Sequence, residues 1–284
     1  MNFQNTISRR TAVRSSIFGL LAVSIPSISY SSEIIGLSNK MEVKSLDRFP
    51  SIEDEVVSEV VGKSHFDLER VMELVNKRPE LSRACWDWGF GDWESALGAA
   101  SHVGRRDIVE FLIGKGAKAN IFTFTMLGAY DIVKSMIEFY PGIQTNYGPH
   151  GISLLQHAKV GLRMKDKMTE VQILNSEKLI SYLTDLGDAD GEEYLEMTDD
   201  KEKYLGDYKY GEGEKDGFSI KLNMRDMLSL GRLGAFGGAL YKIGDNKFTY
   251  NGAPSVEISF QTENNVVKSL TLKEPDLVLV AKKV

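Results

Sequence analysis

An apolar pattern recurs through the middle of this 284-residue chain. Leu68, Val71, Leu74 and Val75 fall at helical spacing in DLERVMELV. The arrangement returns as Ile108, Val109, Leu112 and Ile113 in DIVEFLIG, and as Ile132, Val133, Met136 and Ile137 in DIVKSMIE. A fourth copy is Leu179, Ile180 and Leu183 in EKLISYLTDL. Residues three and four apart share one helical face, so each copy reads as an amphipathic helix. Taking positions 71, 109, 133 and 180 as equivalent, the copies stand 38, 24 and 47 residues apart. Recurrence on that scale marks a stacked array, because one such unit cannot hide its own apolar stripe and buries it only against a neighbour.

A shorter helix rich in small residues precedes each copy. In ALGAASHVGRRD, residues 96–107, Leu97, Ala100 and Ser101 face inward and Gly104 ends the helix. The run from Ser95 to Asn120 resembles the ankyrin repeat, whose pattern is T-P-L-H-x-A-A-x-x-G followed by I-V-x-x-L-L-x-x-G-A-x-x-N. Ala96 and Gly98 stand where that pattern has Pro and His, which weakens the cap of the first helix. HGISLLQHAKVG recovers part of the pattern with Leu155 and Ala158. The third copy leaves little room for a β-hairpin finger, and the fourth carries a charged insertion near Leu162–Asn175. The stretches WDWGFGDWESALGAASH and GPHGISLLQHA are also similar to those of exported bacterial ankyrin proteins. The resemblance covers about residues 52–191, and it implies an all-α solenoid of about four repeats whose concave side holds a partner.

The amino end argues for export. Arg9, Arg10 and Arg14 precede a moderately apolar stretch from Ile17 to Ile25, then Pro26 and the small residues Ser27 and Ser29. Basic, then apolar, then small is the order of a bacterial export signal. SRRTAVR resembles a twin-arginine motif, although Ala12 stands where a bulky aromatic is usual. Residues 1–31 are therefore read as an export signal and 32–51 as a linker, which places the protein in the periplasm or outside the cell. The stretch is too short to span a bilayer, which takes about 20 apolar residues.

From about Tyr204 the period changes to two. Phe218, Ile220, Leu222 and Met224 alternate, as do Val256, Ile258 and Phe260, and turn residues at GDNK (244–247) and ENN (263–265) separate the runs. About eight short strands predict an antiparallel meander closed, or nearly closed, on itself over residues 197–284. EKYLGDYKYG and the strands after it resemble the small β-domain appended to β-lactamase-related hydrolases. The fold class expected is thus α+β, an all-α ankyrin-repeat solenoid followed by a small antiparallel β-barrel domain.

Charge and motif content narrow the function. A net charge of −6 argues against nucleic acid as the partner, since phosphate binding needs a dense basic face. One cysteine leaves no internal disulfide and no multi-cysteine zinc site. No G-x-S-x-G elbow, S-x-x-K, H-E-x-x-H, P-loop or G-x-G-x-x-G occurs, and no cofactor or metal is indicated by motif. GRLGAFGGAL, residues 231–240, lies among strands and opens no helix. Cys85, beside Trp86, reads as a buried small hydrophobe.

All three tryptophans, Trp86, Trp88 and Trp93, lie within eight residues of one another, together with Asp87, Asp92 and Glu94. They fall where a finger loop projects ahead of the strongest repeat. Trp is favoured at interfaces because a rigid ring buries much area at low entropic cost; the same rings also suit packing under an irregular loop. Asp92 is placed to cap the next helix. His102 and His157 fall near the ends of first helices and His150 in the turn GPHG, where polar groups commonly tie neighbouring fingers together. The expected function is a non-enzymatic exported binding protein using Trp88, Trp93, Asp92, Glu94, His102 and His150 to meet a protein or cell-envelope partner. Two other readings stay open: a hydrolase or metal-dependent enzyme sited between the two domains on Asp87, His102, His150 and His157, and an apolar-ligand carrier using the β-domain.

Overall fold

A computed structural model describes residues 50–191, 194–198, 200–223, 225–235, 237–251 and 253–284. The export signal and almost all of the linker lie outside these residues, as does Met224. Eight α-helices come as four successive pairs among the described residues: α1 (Asp54–Lys63) with α2 (Leu68–Lys77), α3 (Ala96–His102) with α4 (Arg106–Gly114), α5 (Ile121–Met126) with α6 (Tyr130–Phe139), and α7 (Leu154–Val160) with α8 (Glu170–Leu186). The first helices also pack in series, α1 on α3, α3 on α5 and α5 on α7.

The recurring apolar positions form the core of this stack. Val71, Val109 and Val133 are fully buried, at a worth of about 1.5–3 kcal/mol for a buried aliphatic side chain. In the fourth pair Leu179 takes the buried place and Ile180 packs at its margin. Gly104 and Gly128 turn the second and third pairs at φ of +74° and +73°. A Cβ at Gly104 would stand 2.1 Å from the Val160 carbonyl oxygen, so close stacking as well as backbone sign requires glycine there. Side chains cap the first helices of the last three pairs: Ser95 accepts from the Gly98 N–H, Asn120 from Thr123 and Ser153 from Gln156. Ser95, not Asp92, caps α3.

Between the first two pairs a two-stranded finger projects, β1 (Cys85–Asp87) against β2 (Trp93–Ser95), with Trp86 opposite Glu94 and Asp87 opposite Trp93. Alternation along a strand sends one pair inward and the other outward. Glu94 is accordingly buried and Trp86 packs on the helical core, while Trp93 is 63% exposed. Cys85 is exposed, against the buried placement expected of it, because it lies on the outward side of this short strand.

The carboxyl part is a closed antiparallel barrel in the order β10–β3–β4–β5–β6–β7–β8–β9. Its strands are β3 (Gly206–Lys209), β4 (Gly217–Leu222), β5 (Leu228–Arg232), β6 (Gly238–Gly244), β7 (Lys247–Tyr250), β8 (Ala253–Glu263), β9 (Val266–Glu274) and β10 (Leu277–Lys283). Val256, Ile258 and Phe260 alternate into the core as expected. Tyr204, Tyr208, Phe248 and Phe260 meet ring on ring at 4.8–5.8 Å and fill the interior, as an eight-stranded barrel with long side chains does. Among the described residues, helices and barrel belong to one compact unit. No helix among the described residues is long and apolar enough to cross a membrane.

Candidate metal centre

Three of the four histidines converge on Glu94. His65 comes from the turn after α1, Glu94 from β2 of the finger, His102 from the last position of α3, and His150 from the short 3-10 turn ahead of α7. One donor atom from each lies within 4.8 Å of all the others. His65 Nε2 stands 3.0 Å from His102 Nε2 and 3.5 Å from Glu94 Oε2. Glu94 Oε1 is 2.9 Å from His102 Nε2 and 3.2 Å from His150 Nε2. Four donors bound at about 2.0–2.1 Å in a tetrahedron lie about 3.3 Å apart, and the His65–His102 contact and the two Oε1 contacts fall near that separation.

The donors are aimed by a surrounding layer of hydrogen bonds. His65 Nδ1 lies 3.0 Å from the Gly62 carbonyl and His150 Nδ1 lies 2.7 Å from Asp92 Oδ2. An N–H on each Nδ1 leaves Nε2 with a bare lone pair, which is how metal-binding imidazoles are held. Trp88 Nε1–H donates to Glu94 Oε2 at 2.7 Å and leaves Oε1 toward the rings. Although His102 and His150 approach Oε1 closely, neither makes an aligned hydrogen bond to it. His102 Nε2 instead lies within hydrogen-bond reach of His65 Nε2.

Electrostatics bear on the same point. Burial raises the Glu94 carboxyl, but the adjoining His102 and His150 outweigh it and hold the group well below the usual carboxylate range. Burial likewise works against a charge on His150, yet Asp92 and Glu94 push it up to about 9. Burial depresses His102 despite Glu94. Two buried carboxylates, Asp92 and Glu94, thus adjoin the converging rings. A divalent cation with three neutral imidazoles balances both carboxylates, the arrangement a buried charged cluster needs.

The residues expected to form a contact surface divide into two sets. Asp92, Glu94 and His102 are 3%, 0% and 9% exposed, and His150 is half-buried, so these four build the interior centre. Trp93 stays outside; Trp88 is 38% exposed, with its ring N–H committed to Glu94. Asp87 is a turn residue, its Oδ1 accepting from the Gly89 and Gly91 N–H groups. His157 is apart from the cluster, buried, with Nδ1 2.8 Å from the Ser153 carbonyl oxygen. His65 was missed from sequence. It stands 37 residues before His102, nearly the 38 that separate Val71 from Val109, so the repeat spacing carried the signal. No family model matches the chain, no curated protein matches it and no solved structure matches it.

Proposed function

We propose that this chain is a non-enzymatic binding protein of ankyrin-like build whose ligand is one divalent transition-metal ion of the zinc class. The observation that carries the reading is the convergence of three imidazole Nε2 atoms and one Glu94 oxygen within 4.8 Å. Imidazole-rich sets favour zinc, copper, nickel or cobalt, whereas calcium and magnesium take all-oxygen sets. Four protein donors close the site, which suits holding an ion rather than activating a water on it. The basic-apolar-small order of residues 1–31 supports a periplasmic or secreted setting, where such an ion would be met.

The test is titration of chelator-stripped protein with Zn²⁺ and Co²⁺. One ion per chain is expected, with the intense visible bands of tetrahedral Co²⁺, and E94Q should weaken binding at least tenfold. Absence of stoichiometric uptake at micromolar ion would end the proposal, and turnover of an ester or phosphate substrate by the zinc form would replace holding by catalysis.

A second reading keeps a partner in view. Trp93, on the outward side of the finger, is the anchor left free by the buried centre. W93A should weaken capture of a protein or envelope partner while leaving thermal stability and ion uptake unchanged; early melting would instead make Trp93 a packing residue.

A further inference from the structure

The centre is not finished by the helices alone. Asp92 sits between His150 and the barrel: its Oδ2 is 2.7 Å from His150 Nδ1 and accepts from Asn251 Nδ2 at 3.0 Å. Asn251 follows β7, is buried, and is fixed by its own N–H donating to the Ala239 carbonyl on β6. The neighbouring contact belongs to the same seat, Phe90 at the finger tip meeting Tyr250 edge to face at 4.8 Å. We infer that Asn251 is a positioning residue of the metal centre, acting through Asp92 on His150, so that ion affinity and the seating of the finger on the barrel are coupled. This rests on the metal reading above.

An imidazole donates its lone pair well only if its other ring nitrogen keeps a proton and a fixed acceptor. Asp92 is that acceptor; its Oδ1 is tied to the His150 backbone N–H, and its Oδ2, the oxygen facing the ring, needs a partner of its own to keep its aim. Asn251 holds it. A sequence separation of 159 positions makes this a contact between two parts of the fold rather than a local turn. Coupling of this kind is reciprocal: the factor by which a seated barrel tightens the ion is the factor by which the ion tightens the seat. The side-chain oxygen of Asn251 has no partner among the described residues, so its amide N–H is the group the structure employs.

The experiment compares wild type with N251A, N251D and the exchanged pair D92N/N251D by competition titration with Zn²⁺, Co²⁺ absorption and Trp88 fluorescence. N251A should weaken Zn²⁺ about 10–100-fold. N251D keeps the volume but sets a carboxylate against Asp92, and should weaken it further. The exchanged pair cannot rebuild the contact, because Oδ2 of Asp92 accepts from His150 Nδ1 and from Asn251 at once, so its affinity should stay as low as that of N251D; full recovery would show that His150 is not held through Asp92 and would overturn the inference. A role in barrel stability only would lower the melting temperature of N251A with its Zn²⁺ affinity and spectrum unchanged, and that result overturns the inference. Hydrogen exchange on wild type needs no variant to fold: Zn²⁺ should add protection at residues 88–92 and 238–251, and no change there also overturns it. Failure of wild type to bind Zn²⁺ at all is a different outcome, which removes the metal reading itself.

Discussion

Asp92 holds His150 at both ends: Oδ2 lies 2.7 Å from the ring Nδ1 and Oδ1 accepts the His150 backbone N–H at 3.0 Å. The second contact explains a backbone anomaly. His150 has φ of +60°, a left-handed conformation that costs a non-glycine residue about 1–2 kcal/mol. Strain of that kind persists where surrounding contacts over-determine it, and it clusters at functional sites.

Removing that grip is the sharpest perturbation of the centre. Asp92→Ala should cost about 1–3 kcal/mol, because it strands the buried Asn251 amide and frees His150 to leave its strained conformation. The Zn²⁺ dissociation constant should rise by about 10–100-fold. Denaturant titration gives the first quantity and competition with a chromophoric chelator the second. Lost stability with unchanged affinity would make Asp92 a purely structural residue.

The helix stack makes a separate prediction at its turns. Gly104→Ala adds a Cβ 2.1 Å from a carbonyl oxygen on a left-handed backbone, and the loss should exceed the roughly 1–2 kcal/mol of the backbone alone. Gly114, at the end of α4, has nothing within 4 Å of the added carbon and a φ outside the left-handed range. Gly114→Ala should leave stability unchanged or raise it by up to about 1 kcal/mol. Paired thermal melts check the contrast, and equal effects would contradict the packing described for the turns.

The stack and the barrel were legible because both rest on periodicity. Val71, Val109 and Val133 recur at helical register, and Val256, Ile258 and Phe260 alternate, so burial follows from spacing alone. The site was legible only in its members. His102, His150, Asp92 and Glu94 could be picked out as polar groups at finger and helix ends, but convergence is a property of stacking. Glu94 points inward because it pairs with Trp86 across the finger, and Trp93 points outward one residue earlier. That sense depends on strand register, which the short WDWGFGDWE segment does not encode by alternation. Asn251 was out of reach altogether, since its link to Asp92 spans the junction of helices and barrel.

His157, which stands outside the metal cluster, gives the fold a pH dependence of its own. Burial pushes its imidazole down to about 4, against the partial compensation of the Ser153 carbonyl. The folded chain therefore keeps His157 neutral where the unfolded chain, near 6.5, takes up a proton. Between about pH 4 and 6.5 the unfolded state binds more protons, so stability rises with pH across that window and is lost as pH falls through it. The full contribution, present above pH 6.5, is at most about 3 kcal/mol. His102, also depressed by burial, adds to the slope in the same sense. His150 acts in the opposite sense and in a different window, its contribution being lost as pH rises toward 9. Urea unfolding of chelator-treated protein at half-unit steps from pH 4.5 to 7.5 should show the rise, and His157→Gln should flatten it without shifting the behaviour above pH 7. An unaltered slope in that variant would mean that His157 is reached by water in the native state and is not buried as described.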